Sequence, residues 1–290
     1  MLACLAVLAS LTACVKHTVK VPVSPKIRES RTATLDDLLR RLAGYKDGIR
    51  GLSSTSLRVT FSAGRLDSGS LKEYRSAPGY VLLRRPDSIR VNIQNPITKT
   101  TILELLSGGN DFSVWYPREN KFFTGSNSAG ELELEGQPGF SARPAHMFEA
   151  ILPYDMSVDS PGARIAFEEG QDATTKYYVL SLYQEAGGAR LAPVRRLWID
   201  RWDLSVSRLE TFSADGAKVS TVQYSSIVET NGFQLPLIIR MERPIDGYLL
   251  EMRFRDWRVN PEVPESAFVL SPPEGAERVA LREKGRSRQN

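Results

Sequence analysis

Cysteine and histidine are almost missing from this 290-residue chain, which has two of each: Cys4, Cys14, His17 and His146. Both cysteines fall within the first fourteen residues, so no disulfide can cross-link the body of the chain. Neither histidine stands in a metal-ligand spacing, so no metal and no cofactor is expected. Serines lack a G-x-S-x-G setting and a nearby histidine to act as base. The glycine pair in Ser107-Gly108-Gly109-Asn110 reads as a turn between strands rather than a phosphate loop. Neighbouring carboxylates such as Glu168 and Glu169 would point to opposite faces of a strand. The expectation is a protein that is not an enzyme; a glycosidase relying on carboxylates alone is what these absences leave open. Long apolar runs are missing too. Met1 to Ala13 is uncharged and apolar, but it gives way to Lys16, well short of the ~20 residues a membrane-crossing helix needs. Basic charge is also absent where a nucleic-acid surface would need it. The net charge is +4, but residues 15–33 carry +4 and residues 276–290 carry +3, leaving 34–275 at −3. No nucleic-acid partner is expected.

What is present begins with the first fourteen residues. Leu11-Thr12-Ala13-Cys14 resembles the lipobox of bacterial lipoproteins, which implies a signal peptide over 1–13, cleavage after Ala13 and a lipid anchor on Cys14. Residues 14–33 hold Pro22 and Pro25 among charges, lack any regular period and read as a flexible tether. A helix follows, with Thr34 as N-cap, Asp37 three residues on, and Leu35, Leu38, Leu39 and Leu42 on one stripe. Gly44 or Gly48 would end it.

From Thr55 the pattern changes to short alternating runs separated by turn residues, for example Ile89-Arg90-Val91-Asn92-Ile93 and Phe112-Ser113-Val114-Trp115-Tyr116. Arg85-Pro86-Asp87, Asp215-Gly216 and Asp246-Gly247 are turn signals between such runs. One further helical stretch, Ala142 to Leu152, places Met147, Phe148 and Ile151 at helical spacing. Some eleven or twelve hairpin-spaced strands and two helices predict a mainly β (α+β) fold over residues 34–275, followed by a basic disordered tail over 276–290. The sheet is expected to be large, curled and antiparallel, with the helices as a lid over an apolar concave face. Alternation assigns to that face Phe61, Leu82, Ile89, Val91, Ile93, Val114 and Tyr116 from the first half of the chain. From the second half it assigns Leu209, Leu237, Ile239, Leu250, Met252 and Phe254. Leu38, Leu39, Leu42, Met147, Phe148 and Ile151 form the underside of the lid. Periodicity alone leaves a solid core and a ligand cavity equally open.

The order of lipobox, tether, helix, strands, midway helix and strands resembles the bacterial outer-membrane lipoprotein carrier and receptor superfamily (LolA/LolB-like). Three local stretches carry the likeness: Asp87 to Ile97, Phe148 to Pro153, and the ending from Gly232 through Asn260-Pro261 to Phe268. The resemblance implies an unclosed β-barrel whose cavity takes acyl chains of lipids or lipoproteins without bond chemistry. It also implies that Ile97, on the loop after a strand, inserts into the membrane as cargo is delivered. The anchor on Cys14 favours the receptor branch, at the outer membrane and facing the periplasm, acting as a monomer and receiving cargo from a periplasmic lipoprotein carrier. Two rival readings remain: an envelope sensor or structural lipoprotein that docks a protein partner, and an envelope hydrolase.

Overall fold

A computed structural model describes residues 30–65, 70–127, 143–158, 160–188 and 190–281. Cys14, the signal peptide and most of the tether lie outside the described residues. Helix α1 (Leu35–Gly48) begins where the sequence places it. The Thr34 hydroxyl accepts from the Asp37 backbone N–H, while the Asp37 carboxylate accepts from Thr34, so two helix-end donors are satisfied reciprocally. Its stripe buries Leu38, Leu42 and Tyr45. Helix α2 (Pro144–Ile151) opens on a proline, which lacks the N–H that a first turn could not satisfy, and buries Met147, Ala150 and Ile151.

The strands form a single sheet. The first run is β1 (Gly51–Arg65), β2 (Ser70–Arg84), β3 (Ser88–Gln94), β4 (Thr101–Gly108), β5 (Asp111–Tyr116) and β6 (Lys121–Ser126). After α2 come β7 (Arg164–Gln171), β8 (Lys176–Glu185), β9 (Leu191–Asp200), β10 (Val206–Phe212), β11 (Lys218–Thr230), β12 (Phe233–Arg243) and β13 (Tyr248–Phe254). Short strands β14 (Arg258–Val259) and β15 (Glu277–Ala280) end the described chain. Each run is an antiparallel meander, and the two are joined where β13 pairs with β1. The order is β15-β6-β5-β4-β3-β2-β1-β13-β12-β11-β10-β9-β8-β7, with β14 beside β1, fifteen strands among the described residues. The edges β7 and β15 do not meet, so the barrel is unclosed. Side chains from β1, β3, β5, β8, β9, β12 and β13 join those of both helices in one buried cluster. A flat sheet this wide could not bring them together; the curl and the enclosed helices follow from the packing.

Three sequence expectations are corrected. Leu82 is not on the concave face: Val81 and Leu83 are buried there, opposite Val91 and Ile89, while Leu82 pairs with Arg90 on the outer face. The run Tyr80-Val81-Leu82-Leu83 is apolar at consecutive positions, so alternation could not choose its phase. The stretch from 276 is not all tail, since Glu277–Ala280 pairs in parallel with β6. Finally, the tether does not run free to residue 33. The Arg31 N–H donates to the Arg201 carbonyl, and the Ala33 N–H to the Tyr178 hydroxyl at 2.9 Å. Strand β7 was not foreseen: its polar run Glu168-Glu169-Gly170-Gln171 suits a sheet edge.

Candidate ligand-binding trough

Twelve of the thirteen side chains assigned to the concave face are there. Ile89, Val91, Val114, Leu209, Ile239, Leu250, Met252 and Phe254 are buried in the core cluster; Phe61, Ile93, Tyr116 and Leu237 pack against it but stay partly open. The lid residues divide similarly, with Leu38, Leu42, Met147 and Ile151 buried and Leu39 and Phe148 partly open. Much of the concavity is therefore filled by the helices. The open part is localised.

It centres on β2. Leu57, Gly79, Ile93 and Leu103 stand directly opposite one another across β1, β2, β3 and β4, and Val59 stands opposite Ala77 in the next inward row. β2 thus contributes no side chain at one position and a methyl at the other. At Gly79 nothing larger fits, because a Cβ would lie 2.1 Å from the Asn92 carbonyl oxygen. Small side chains on β2 thus leave Val59, Phe61, Ile93 and Leu103 partly open on the inner face, and this thinly covered apolar stretch over β2 is called the trough below. Two irregularities in the β1–β2 pairing bracket it, between Ser54 and Leu57 and between Val59 and Phe61. Each inserts a residue into one strand, which bends the sheet locally.

Helix α1 is tied firmly over the interior. Arg41 donates to the Gln234 side chain at 2.7 Å and to the Leu204 carbonyl, and the Tyr45 hydroxyl accepts the Gln234 N–H at 2.8 Å. Lys46 reaches Asp155 at 3.2 Å and the Ser157 hydroxyl. The Asp155 carboxyl is held below its usual range by Ser157 and Lys46, against the opposing effect of burial. Helix α2 meets the sheet through His146, whose Nδ1 lies 3.1 Å from the Tyr248 hydroxyl. Tyr248 is fully buried and its ring stacks on Phe61 at 5.7 Å, so the fastening of α2 abuts the trough. Burial first, then the nearby charges of Arg243 and Arg143, push His146 well below the ordinary imidazole value, so the ring is neutral.

Ile97 projects into solvent, 87% exposed, from the β3–β4 connection. Asn95 shapes that connection. Its side-chain oxygen accepts the N–H groups of Ile97 and Thr98, and its backbone N–H donates to the Thr100 carbonyl. Lys99 adopts a left-handed φ of 60°. A fixed turn therefore holds the isoleucine outward, and it does not fold back onto the sheet. Strand directions put this turn at the same end of the sheet as the β12–β13 turn, where Ile245 is also exposed.

Among the described residues no group of three His, Cys, Asp or Glu is placed to hold a metal, and no helix is long and apolar enough to cross a membrane. Glu168 and Glu169 pair with Val179 and Tyr178 on opposite faces of β7, and Glu169 is bound by Arg201 at 2.7 Å. Sequence reading missed Ala77 and Gly79, and Leu103 beside them. Small residues inside an otherwise apolar strand were the signal available.

Residues 237–282 match the family described as "Predicted periplasmic protein (DUF2092)". No curated protein matches the sequence. A DUF1329 family protein from Desulfovibrio piger superposes with TM-score 0.53 at 15% identity, covering 80% of this chain and 95% of that one. A domain from Vibrio parahaemolyticus described as an outer membrane lipoprotein-sorting protein gives TM-score 0.50 at 14% identity, over 80% and 94% of the two chains. A LolA superfamily protein from Nitrosomonas europaea gives 0.49 at 16% identity, over 82% and 99%. The resemblance drawn from the sequence is thereby borne out at the level of the fold.

Proposed function

We propose that the protein is a lipid-anchored binder of acyl chains, facing the periplasm from the outer membrane and taking part in lipoprotein localisation or lipid transfer. The observation that carries this reading is the set of inward apolar side chains left partly open around buried Leu57 and Gly79, namely Val59, Phe61, Ala77, Ile93 and Leu103, beside the fastening of α2. A trough without polar groups selects chains of CH₂ rather than headgroups, and each methylene buried contributes about 0.8 kcal/mol. The matched family description and the likeness to a lipoprotein-sorting domain support the periplasmic setting. In this reading Cys14 carries the anchor, cargo comes from a soluble periplasmic carrier, and Ile97 enters the bilayer during delivery. Binding and release need no chemical step, which agrees with a protein that is not an enzyme.

The test is native mass spectrometry of Cys14→Ala protein incubated with palmitate or a diacylated lipopeptide. One bound chain per protein is expected, and Val59→Asp should reduce occupancy at least tenfold while leaving circular dichroism unchanged. A trough that stays empty at saturating lipid would overturn the proposal and favour a protein-docking role.

A further inference from the structure

The outer face of the sheet carries a second concavity, unrelated to the trough. Opposite the core-facing Leu209, Val222, Ile239 and Met252, the strands β8 to β13 surround a cleft of about 450 Å³. Its lining differs in kind from the trough. Arg208, Gln223, Arg240 and Glu251 stand directly opposite one another on four successive strands. Strands lie about 4.8 Å apart, so the two arginine stems flank Gln223 at roughly 10 Å from one to the other. Guanidinium groups on stems of that reach can converge on a single anion above the amide. Arg253, also lining the cleft, faces Arg58 directly across the β1–β13 pair. Arg253 is already held by Glu251 at 2.6 Å, so an anion falls to Arg208 and to Arg240, whose Nε also lies 3.3 Å from Glu242, with Asp200 the other carboxylate in the lining.

The remaining lining is aromatic and hydrogen-bonding. Trp198 and Tyr177 close one end, their rings 5.5 Å apart and edge to face, and Arg208 lies 4.9 Å over the Trp198 indole. The Trp198 indole N–H is buried with no acceptor, an omission that buried donors rarely show. Ser207, Gln223 and Ser225 add hydroxyl and amide groups able to meet ring hydroxyls. We propose that this outer cleft binds an acidic saccharide, with Arg208 and Arg240 gripping its anionic group and the aromatic end and amide meeting the sugar.

The site lies on the outer face and on other strands than the trough, so the two should fill independently. Isothermal titration of the Cys14→Ala protein with glucose 6-phosphate and with glucuronate, at low salt, is expected to show saturable binding by at least one. Glucose and inorganic phosphate should each bind at least tenfold more weakly. Affinity should fall as salt rises. Arg208→Gln and Arg240→Gln should each weaken it at least tenfold, whereas Arg118→Gln, in the β5–β6 connection, should not. Preloading with palmitate should leave the titration unchanged, which keeps this result separable from that of lipid binding. Absence of saturation by either acidic sugar at millimolar concentration overturns the proposal, as does equal binding of inorganic phosphate. Unchanged binding in both arginine variants overturns the assignment of these residues.

Discussion

Acidification should loosen the helix that borders the trough, and the size of the effect follows from one histidine. His146 is enclosed between α2 and the sheet, with its Nδ1 against the Tyr248 hydroxyl and the cations Arg243 and Arg143 nearby. Arg243 is itself paired with Asp246, so its carboxylate partner is already engaged. The folded chain therefore holds this ring neutral well below the pH at which the unfolded chain protonates it, near 6.5. The unfolded state binds more protons between those two values, so stability falls as pH falls from 6.5, and above 6.5 this residue contributes no pH dependence. The slope approaches about 1.4 kcal/mol per pH unit; between pH 7.5 and 5.5 the loss from His146 is then at most about 1.4 kcal/mol. Urea unfolding of wild type and His146→Gln at both pH values checks it. The variant keeps a polar side chain beside Tyr248 but cannot titrate. The carboxyls of Asp37, Asp155, Asp172 and Asp215 are all held below 3.8 and stay ionised throughout that range. Equal pH dependence in wild type and variant would refute the placement of the ring as a buried neutral group.

Two further outcomes follow from particular positions. Gly79→Ala should cost about 2 kcal/mol or more, since its Cβ cannot coexist with the Asn92 carbonyl without separating β2 from β3; a thermal midpoint within a degree of wild type would contradict this. Ile97→Asp should leave unfolding unchanged to within about 0.5 kcal/mol, because the side chain is in solvent. The same variant should deliver bound lipopeptide to vesicles several-fold more slowly, read by flotation of labelled cargo, and unimpaired delivery would remove the residue from membrane contact.

Much of the fold was legible because its elements obey local rules. Thr34 and Asp37 announce the start of α1, Pro144 the start of α2, and strict alternation in Leu57-Arg58-Val59-Thr60-Phe61 and in Leu250 to Phe254 fixes which side chains face inward. Strand β7 and strand β15 were not legible, since an edge strand needs to satisfy only one neighbour and carries little apolar signal. The outer cleft was invisible for a different reason. Arg208, Gln223 and Arg240 are scattered over 33 positions of sequence and meet only because three strands are in register.

The failure at Leu82 is of another sort, and it points to the site. Alternation assumes one phase along a strand, yet the pairing of β1 with β2 shifts twice: β1 changes its inward parity between Ser54 and Leu57, and β2 changes its own between Tyr74 and Ala77. Between the two shifts β2 presents Ala77 and Gly79 where an ordinary core strand would present large side chains. The alternation rule breaks at the place where the sheet is bent and left thin. Filling that place would be the simplest way to a more stable core, and the chain does not do so: Gly79 has no room for a Cβ, and Ala77 stays only half-buried. Proteins depart from local consistency chiefly where function requires it. Ala77 offers the direct measure of that requirement. Ala77→Leu would extend an apolar side chain into the trough without a new polar group, so lipid occupancy should fall while stability holds or rises. A loss of stability with occupancy retained would mean that Ala77 merely accommodates the packing of β2, and that acyl chains, if bound, lie elsewhere.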